Sequence, residues 1–470
     1  MKLTFYGGVK EVTGANYLLE EDDPSTQPSR KGLGEQISSR RPIKILVDCG
    51  LHQGSHFAER KNWEKFLYDP AEITAVLITH SHIDHIGRLP LLVKNGFQGK
   101  IYSTAPTKEA SELLLLDSDH ILAQTAEQLK MPALFDEEDV RKVMEKWEVI
   151  DYHQEFKIPN SKFLIQFYNA GHILGSSFIT VEEWVPDQVG DGSKKIRIVF
   201  SGDLGNSPAP LLGDKELLPE ADYCVMESTY GDRLHEELTK RKEVLEDAIE
   251  DTAKQGGVLL IPAFAMERTQ ELIYELNDLI KNGRIPKMPI FLDSPLAIKL
   301  LDVYKKNRNY LIRDVNFNLP GLKMTLKTEE SRAITEVKPP KIIIAGSGMS
   351  HGGRIVHHEK LYLSDPRNTI LIIGYQAAGS LGRRILDGSK TVKIFGEEIT
   401  VRCRVINIPG YSAHADQEQL FNWVYPKRET LRKIFLVQGE EQASNALGQK
   451  IKDEIAVETI IPDQGFVYNL

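Results

Sequence analysis

The chain has 470 residues, 41% hydrophobic and 27% charged, a length for two or three domains and the composition of a globular protein. No apolar stretch is long enough to span a bilayer and the first residues lack a signal peptide's apolar region, which excludes a membrane partner; three widely spaced cysteines, Cys49, Cys224 and Cys403, exclude a CxxC zinc knuckle and a disulfide framework and predict a cytoplasmic protein. The net charge of −9 weighs against a non-specific nucleic-acid coat, which needs clustered Lys and Arg.

Residues 16–20 and 43–47 are apolar runs separated by a polar segment rich in Ser, Pro, Gly and Arg. That segment, about 21–42, reads as a long hairpin loop. The next apolar run, residues 75–79, predicts a buried strand. It leads directly into His80-Ser81-His82-Ile83-Asp84-His85. Three imidazoles and a carboxylate within six residues have no packing explanation, because buried polar groups need partners. Imidazole and carboxylate are good zinc ligands. His80 and His82 would reach one metal, and Asp84 and His85 a second.

Further strand-like runs also stop at chemically useful residues. Residues 43–47 stop at Asp48, and residues 163–168 lead to His172 through Asn169-Ala170-Gly171. Residues 196–200 lead to Asp203, residues 223–226 stop at Glu227, residues 405–408 precede His414, and residues 434–437 stop at Gln438. Six such endings suggest one common rim, where α/β folds place their chemistry. A metal needs four or more donors, so His172 and Asp203 are expected to complete the cluster, with Asp203 able to bridge two cations.

Between Glu227 and His414, apolar runs alternate with helical patterns, as in a parallel sheet. Gly346-Ser347-Gly348-Met349 follows one such run and is expected to open a helix whose N–H groups would cradle a phosphate. Lys299, Lys305, Lys306, Arg308 and Arg313 read as a solvated helix face rather than a nucleic-acid patch. His351, His357 and His358 read as surface or helix residues.

These motifs resemble the β-CASP nucleases of the metallo-β-lactamase superfamily, and among them bacterial RNA-processing members. The resemblance is carried by the HxHxDH run His80 to His85, Asp48-Cys49-Gly50-Leu51, Gly171-His172-Ile173-Leu174-Gly175 and Ser201-Gly202-Asp203. More specific to nucleases are Glu227 in Met226-Glu227-Ser228-Thr229-Tyr230-Gly231 and His414 in Tyr411-Ser412-Ala413-His414-Ala415-Asp416. The loop Asp293-Ser294-Pro295-Leu296-Ala297 also fits. Apart from the polar insert, the likeness covers the whole chain.

The resemblance implies an α/β protein: a four-layer αββα sandwich over 1–226 and 401–470, with an α/β β-CASP domain inserted at 227–400. It implies two zinc ions, one held by His80, His82, His172 and Asp203, the other by Asp84, His85 and Asp203, with Asp48 behind the ligands; Gln438 is expected there as well. The implied activity is phosphodiester hydrolysis of single-stranded RNA. Asp84 would orient the attacking water and accept its proton, His414 would protonate the leaving oxygen, and Glu227 would keep that imidazole charged. Ser347, Gly348 and Met349 would touch substrate.

One position departs from the pattern. RNA-cutting relatives carry a histidine ligand of the second zinc in a motif resembling Leu-Val-His-Gly-Glu, where this chain has Leu436-Val437-Gln438-Gly439-Glu440. A neutral amide oxygen is a poor zinc donor. Three outcomes follow: a weak second site, or one preferring manganese; a one-zinc enzyme; or a scaffold that has lost turnover. The intact remainder of the site favours an enzyme. A DNA substrate is compatible with the sequence, as is a homo-oligomer. Hydrolysis of a small thioester or lactam is disfavoured by the inserted domain.

Overall fold

The computed structural model describes residues 1–21, 42–54, 56–186, 193–235, 238–312, 315–374, 376, 379–408 and 411–470. All but the two end residues of the polar insert, and Arg313 of the basic stretch, lie outside the described residues. The chain forms two units. One comprises Met1–Pro208, Asp214–Leu234 and His414–Leu470; the other comprises Ala209–Gly213 and His235–Ala413.

The first unit is built on two seven-stranded sheets. One runs in the order Val467–Asn469, Lys2–Gly7, Asn16–Glu20, Lys44–Val47, Ala75–Leu77, Lys100–Ser103 and Trp147–Val149. The other runs Glu458–Ile460, Lys433–Val437, Tyr223–Glu227, Ser193–Phe200, Ser177–Pro186, Phe163–Asn169 and Phe156–Lys157. Inward residues of both sheets share one core: Leu3, Phe5, Tyr17 and Val47 from the first meet Phe163, Phe167, Phe200 and Phe435 from the second. Each such side chain, fully buried, contributes roughly 1.5–3 kcal/mol.

Helices cover the outer faces. Leu89 and Leu92 of Leu89–Lys94, Leu115 of Ala105–Leu129 and Val140 and Val143 of Glu137–Glu145 pack over the first sheet. Leu420 and Trp423 of Gln417–Val424, with Leu447 and Ile451 of Glu441–Ile455, pack over the second. The layers are therefore αββα, as the resemblance implies. Ala75–Leu77 is wholly buried between parallel neighbours, which is why its sequence is an unbroken apolar run.

The second unit holds six parallel strands in the order Leu322–Met324, Ile290–Asp293, Lys341–Ala345, Val258–Pro262, Thr369–Ile373 and Arg404–Ile408. Helices such as Arg268–Lys281 and Pro295–Lys306 follow the strands. In Asp293-Ser294-Pro295 the Ser294 hydroxyl accepts from Ala297 N–H at 3.3 Å, and Pro295 opens the helix. Lys299, Lys306 and Arg308 are exposed, as a solvated face requires.

Two strand-level expectations need correction. The run 405–408, expected on the metal-bearing rim, pairs with Thr369–Ile373 in the second unit's sheet. Its pattern of apolar residues fits either sheet, so pairing alone decides. The Gly346-Ser347-Gly348-Met349 stretch does not open a helix either, because the helix Gly353–Tyr362 starts beyond it. A turn intervenes: Ser347 Oγ accepts from His351 N–H at 3.0 Å, and Gly353 adopts φ +72°.

Candidate metal centre

All the expected ligands come together in the first unit. His80, His82, His172 and Asp203 each offer a donor atom within 4.8 Å of the others. His80 Nε2 and His172 Nε2 lie 3.1 and 3.2 Å from His82 Nδ1. They lie 3.3 and 3.4 Å from Asp203 Oδ2. A tetrahedron around zinc with bonds of 2.0–2.1 Å has edges of about 3.3 Å. Three imidazoles and a carboxylate have the chemistry for zinc, and these four separations match such edges. Burial and His80 hold His82 well below the ordinary imidazole range, and burial and His414 do the same to His172. Neutral imidazole is the ligating form.

The loops that present the ligands interlock. Cys49 N–H donates to His85 O at 2.7 Å, Leu51 N–H to Ile83 O at 3.0 Å, and Ala15 N–H to Asp84 O at 2.9 Å. Gly50 lies so close to this loop that a Cβ would come within 1.5 Å of Asp84 O. Gly205 N–H donates to Ala170 O at 2.8 Å, and a Cβ on Gly205 would meet Gly171 O at 1.9 Å. Those two contacts tie the Asp203 loop to the His172 loop.

Asp48 sits at φ +60°, turning its carboxylate under the cluster. It accepts from Thr79 N–H at 2.9 Å, Thr79 Oγ1–H at 2.8 Å and His85 Nδ1–H at 2.7 Å. With its proton on Asp48, Thr79 Oγ1 accepts from His80 Nδ1–H at 3.0 Å. This chain of bonds leaves Nε2 of both His80 and His85 as lone-pair donors. Sequence reasoning missed Thr79. Its position one residue before the histidine run is the only signal it gives.

The second expected set is arranged differently. His85 Nε2 lies 3.3 Å from Asp203 Oδ1 and 3.9 Å from Asp84 Oδ2. The Gln438 amide nitrogen lies 2.7 Å from His85 Nε2 and donates to Asp203 Oδ1 at 3.1 Å. Burial lowers the His85 imidazole, but the Asp203 and Asp48 carboxylates more than reverse this. A doubly protonated ring would face the amide donor to donor, so this contact admits the neutral ring. Burial would raise Asp203; His85, His80 and His414 instead hold it well below the usual carboxylate range. Burial raises Asp84.

Beside this cluster, His414 Nδ1 lies 3.2 and 3.3 Å from the oxygens of Glu227. Its ring centroid is 4.6 Å from that of His172. An isolated bridge to Gly205 and the bond from Ala415 N–H to Leu204 O at 2.7 Å fix its position. Glu227 is buried and accepts from Leu204 N–H at 2.6 Å. Burial would lower His414, but Glu227 and then Asp203 lift it to about 9. Asp416 caps the next helix, accepting from Gln419 N–H at 2.9 Å.

Ser347, Gly348 and Met349 belong to the second unit. Gly348 O accepts from Gln376 at 2.9 Å, and Met349 O from Gly382 N–H at 3.2 Å. His358, expected as a surface or helix residue, is helical but buried, with Nε2 2.7 Å from Asp293 Oδ2.

Three family models match the chain: a metallo-beta-lactamase superfamily domain over residues 39–188, a Beta-Casp domain over 269–385, and a Zn-dependent metallo-hydrolase RNA specificity domain over 398–462. Ribonuclease TTHA0252 of Thermus thermophilus is 35% identical, with 96% of this chain and 95% of the relative covered. An RNase J-like protein of Methanocaldococcus jannaschii is 32% identical over 90% of this chain and 93% of its own length. A transcription termination factor FttA of Methanosarcina mazei is 31% identical over 98% of this chain and 70% of its own.

Proposed function

This chain belongs to the β-CASP family of the metallo-β-lactamase superfamily, and on that premise we propose that it is a zinc-dependent ribonuclease hydrolysing phosphodiester bonds of single-stranded RNA. One observation carries the reading: three imidazoles and a carboxylate, with donor atoms all within 4.8 Å of one another, lie directly beside the Glu227–His414 pair.

His80, His82, His172 and Asp203 would hold the zinc. Bound there, it supplies Lewis acidity toward a phosphoryl oxygen and lowers the pKa of water. The remaining work falls to the chain. Asp84, raised by burial, is a better proton acceptor than an ordinary aspartate and orients the attacking water. His414, lifted to about 9, carries its proton at neutral pH and delivers it to the departing oxygen. Glu227 holds the imidazole in place and in its charged form. Asp48 and Thr79 fix the rings of His80 and His85. Ser347, Gly348 and Met349 are assigned to the substrate backbone by family likeness alone, since the Ser347 hydroxyl already closes its own turn.

The test is cleavage of labelled single-stranded RNA and DNA of equal sequence, with zinc measured on the same samples. Wild type should cut RNA in preference to DNA. His82→Ala should lose zinc and cutting together. His414→Ala should keep its zinc and lose about 10²–10⁴ in turnover. A zinc-loaded wild type inert on RNA, or His82→Ala cutting at the wild-type rate, refutes the proposal.

A further inference from the structure

We infer that the carboxamide of Gln438, and not a second metal ion, bridges His85 and Asp203, so that this chain holds one zinc tightly. The inference rests on the proposed reading of the first zinc site.

Gln438 ends the strand Lys433–Val437 and takes φ +47°, a left-handed conformation that turns its side chain into the cluster. Its backbone is tied on both sides: its N–H donates to Gly8 O at 2.7 Å, and its carbonyl accepts from Thr229 Oγ1 at 2.8 Å. The side chain is buried, and its amide nitrogen lies 2.7 Å from His85 Nε2 and 3.1 Å from Asp203 Oδ1.

Chemistry fixes which end of the amide points inward. An ionised carboxylate only accepts hydrogen bonds, so the group facing Asp203 Oδ1 is the NH₂. The same NH₂ lies 2.7 Å from His85 Nε2, so that nitrogen accepts, and the ring's proton sits on Nδ1 toward Asp48. The two amide protons therefore take the two lone pairs that a second cation would need. To admit that cation, the amide would have to rotate, give up both bonds and offer its oxygen, a weak zinc donor.

Among the described residues, no amide bonds to the four donor atoms of the first site. Its four donors are three imidazoles and a carboxylate, all within 4.8 Å of one another. Gln438 thus acts as a positioning residue. It holds His85 and Asp203 in the places that a second ion would otherwise fix, and it leaves Asp84 without a cation of its own.

The experiment is zinc stoichiometry by elemental analysis, after the purified full chain has been loaded with excess zinc and dialysed against metal-free buffer. Wild type should retain one zinc per chain, with any second ion bound on the order of 100-fold more weakly. Gln438→His and Gln438→Glu each supply an ionic or imidazole donor, and each should raise the count to two. Both variants are made in case one fails to fold. The inference is overturned if wild type retains two zincs, or if both variants fold and stay at one. The readout separates this inference from the proposed activity. One zinc with no RNA cleavage leaves the inference standing and removes the ribonuclease. Two zincs with cleavage do the reverse. No retained zinc removes the metal reading beneath both.

Discussion

Glu359 should make the second unit's stability fall as pH rises from the acid side through neutrality. It lies in the helix Gly353–Tyr362, fully buried. One oxygen accepts from the Ser350 hydroxyl at 2.5 Å, and Oε2 has no hydrogen-bond partner among the described residues. Burial lifts this carboxyl from 4.5 to about 8, with the Ser350 bond opposing only part of the rise. The sign follows from proton linkage. Below about pH 4.5 both folded and unfolded chains carry the proton, and the stability is fully present. Between there and about 8 the unfolded chain sheds a proton that the folded one keeps, so stability drops by about 1.4 kcal/mol per pH unit. Across the gap this amounts to about 5 kcal/mol at most. Glu359→Gln removes the titration and keeps a group that can accept from Ser350. Urea unfolding should be followed by hydrogen exchange at the buried strand Thr369–Ile373, at roughly pH 5 and pH 8. The variant should gain on wild type by several kcal/mol between the two pH values. Parallel pH curves for the two proteins would refute the reasoning.

Two further perturbations probe the frame of the metal centre. Gly50→Ala should push the His80–His85 loop off its seat, since the new methyl would fall 1.5 Å from Asp84 O; zinc retention should drop together with thermal stability, and retention at wild-type level would contradict the packing described. Thr79→Val keeps the shape of a buried side chain but removes the hydroxyl between Asp48 and His80; zinc affinity should fall about 10–100-fold, measured by competition with a chelator, while far-ultraviolet circular dichroism stays unchanged.

How much of this was legible in the sequence depended on locality. His80, His82, Asp84 and His85 announce themselves because a three-residue strand delivers them all to one point. His172, Asp203, Glu227 and His414 follow strand ends or lie close to them, and the family motifs supplied their pairing. Thr79 was invisible, because its role arises only when Asp48, 31 positions earlier, is brought beneath it. The departure at Gln438 was visible as a missing histidine. Its consequence was not, since the direction of an amide depends on which acceptors surround it. Residues 405–408 were misplaced because an apolar run does not say which sheet it joins; His358 is helical as expected, but a helical histidine does not say whether an aspartate waits beneath it. The stretch Gly346-Ser347-Gly348-Met349 looked like a helix opening because it follows a strand, yet Gly353 makes the turn that sets the actual start.

The order of strands also matters while the polypeptide is being made. In the second seven-stranded sheet, Tyr223 is paired with Lys433, 210 positions later. At roughly 5–20 residues per second, the ribosome needs on the order of 10 to 40 s to supply that partner. All four proposed zinc donors have been synthesised long before then, while the strand Tyr223–Glu227 still has a bare edge. The intervening stretch supplies all six parallel strands of the second unit's sheet before Lys433 is made. A nascent chain paused in this window would expose an unpaired strand edge, which favours aggregation.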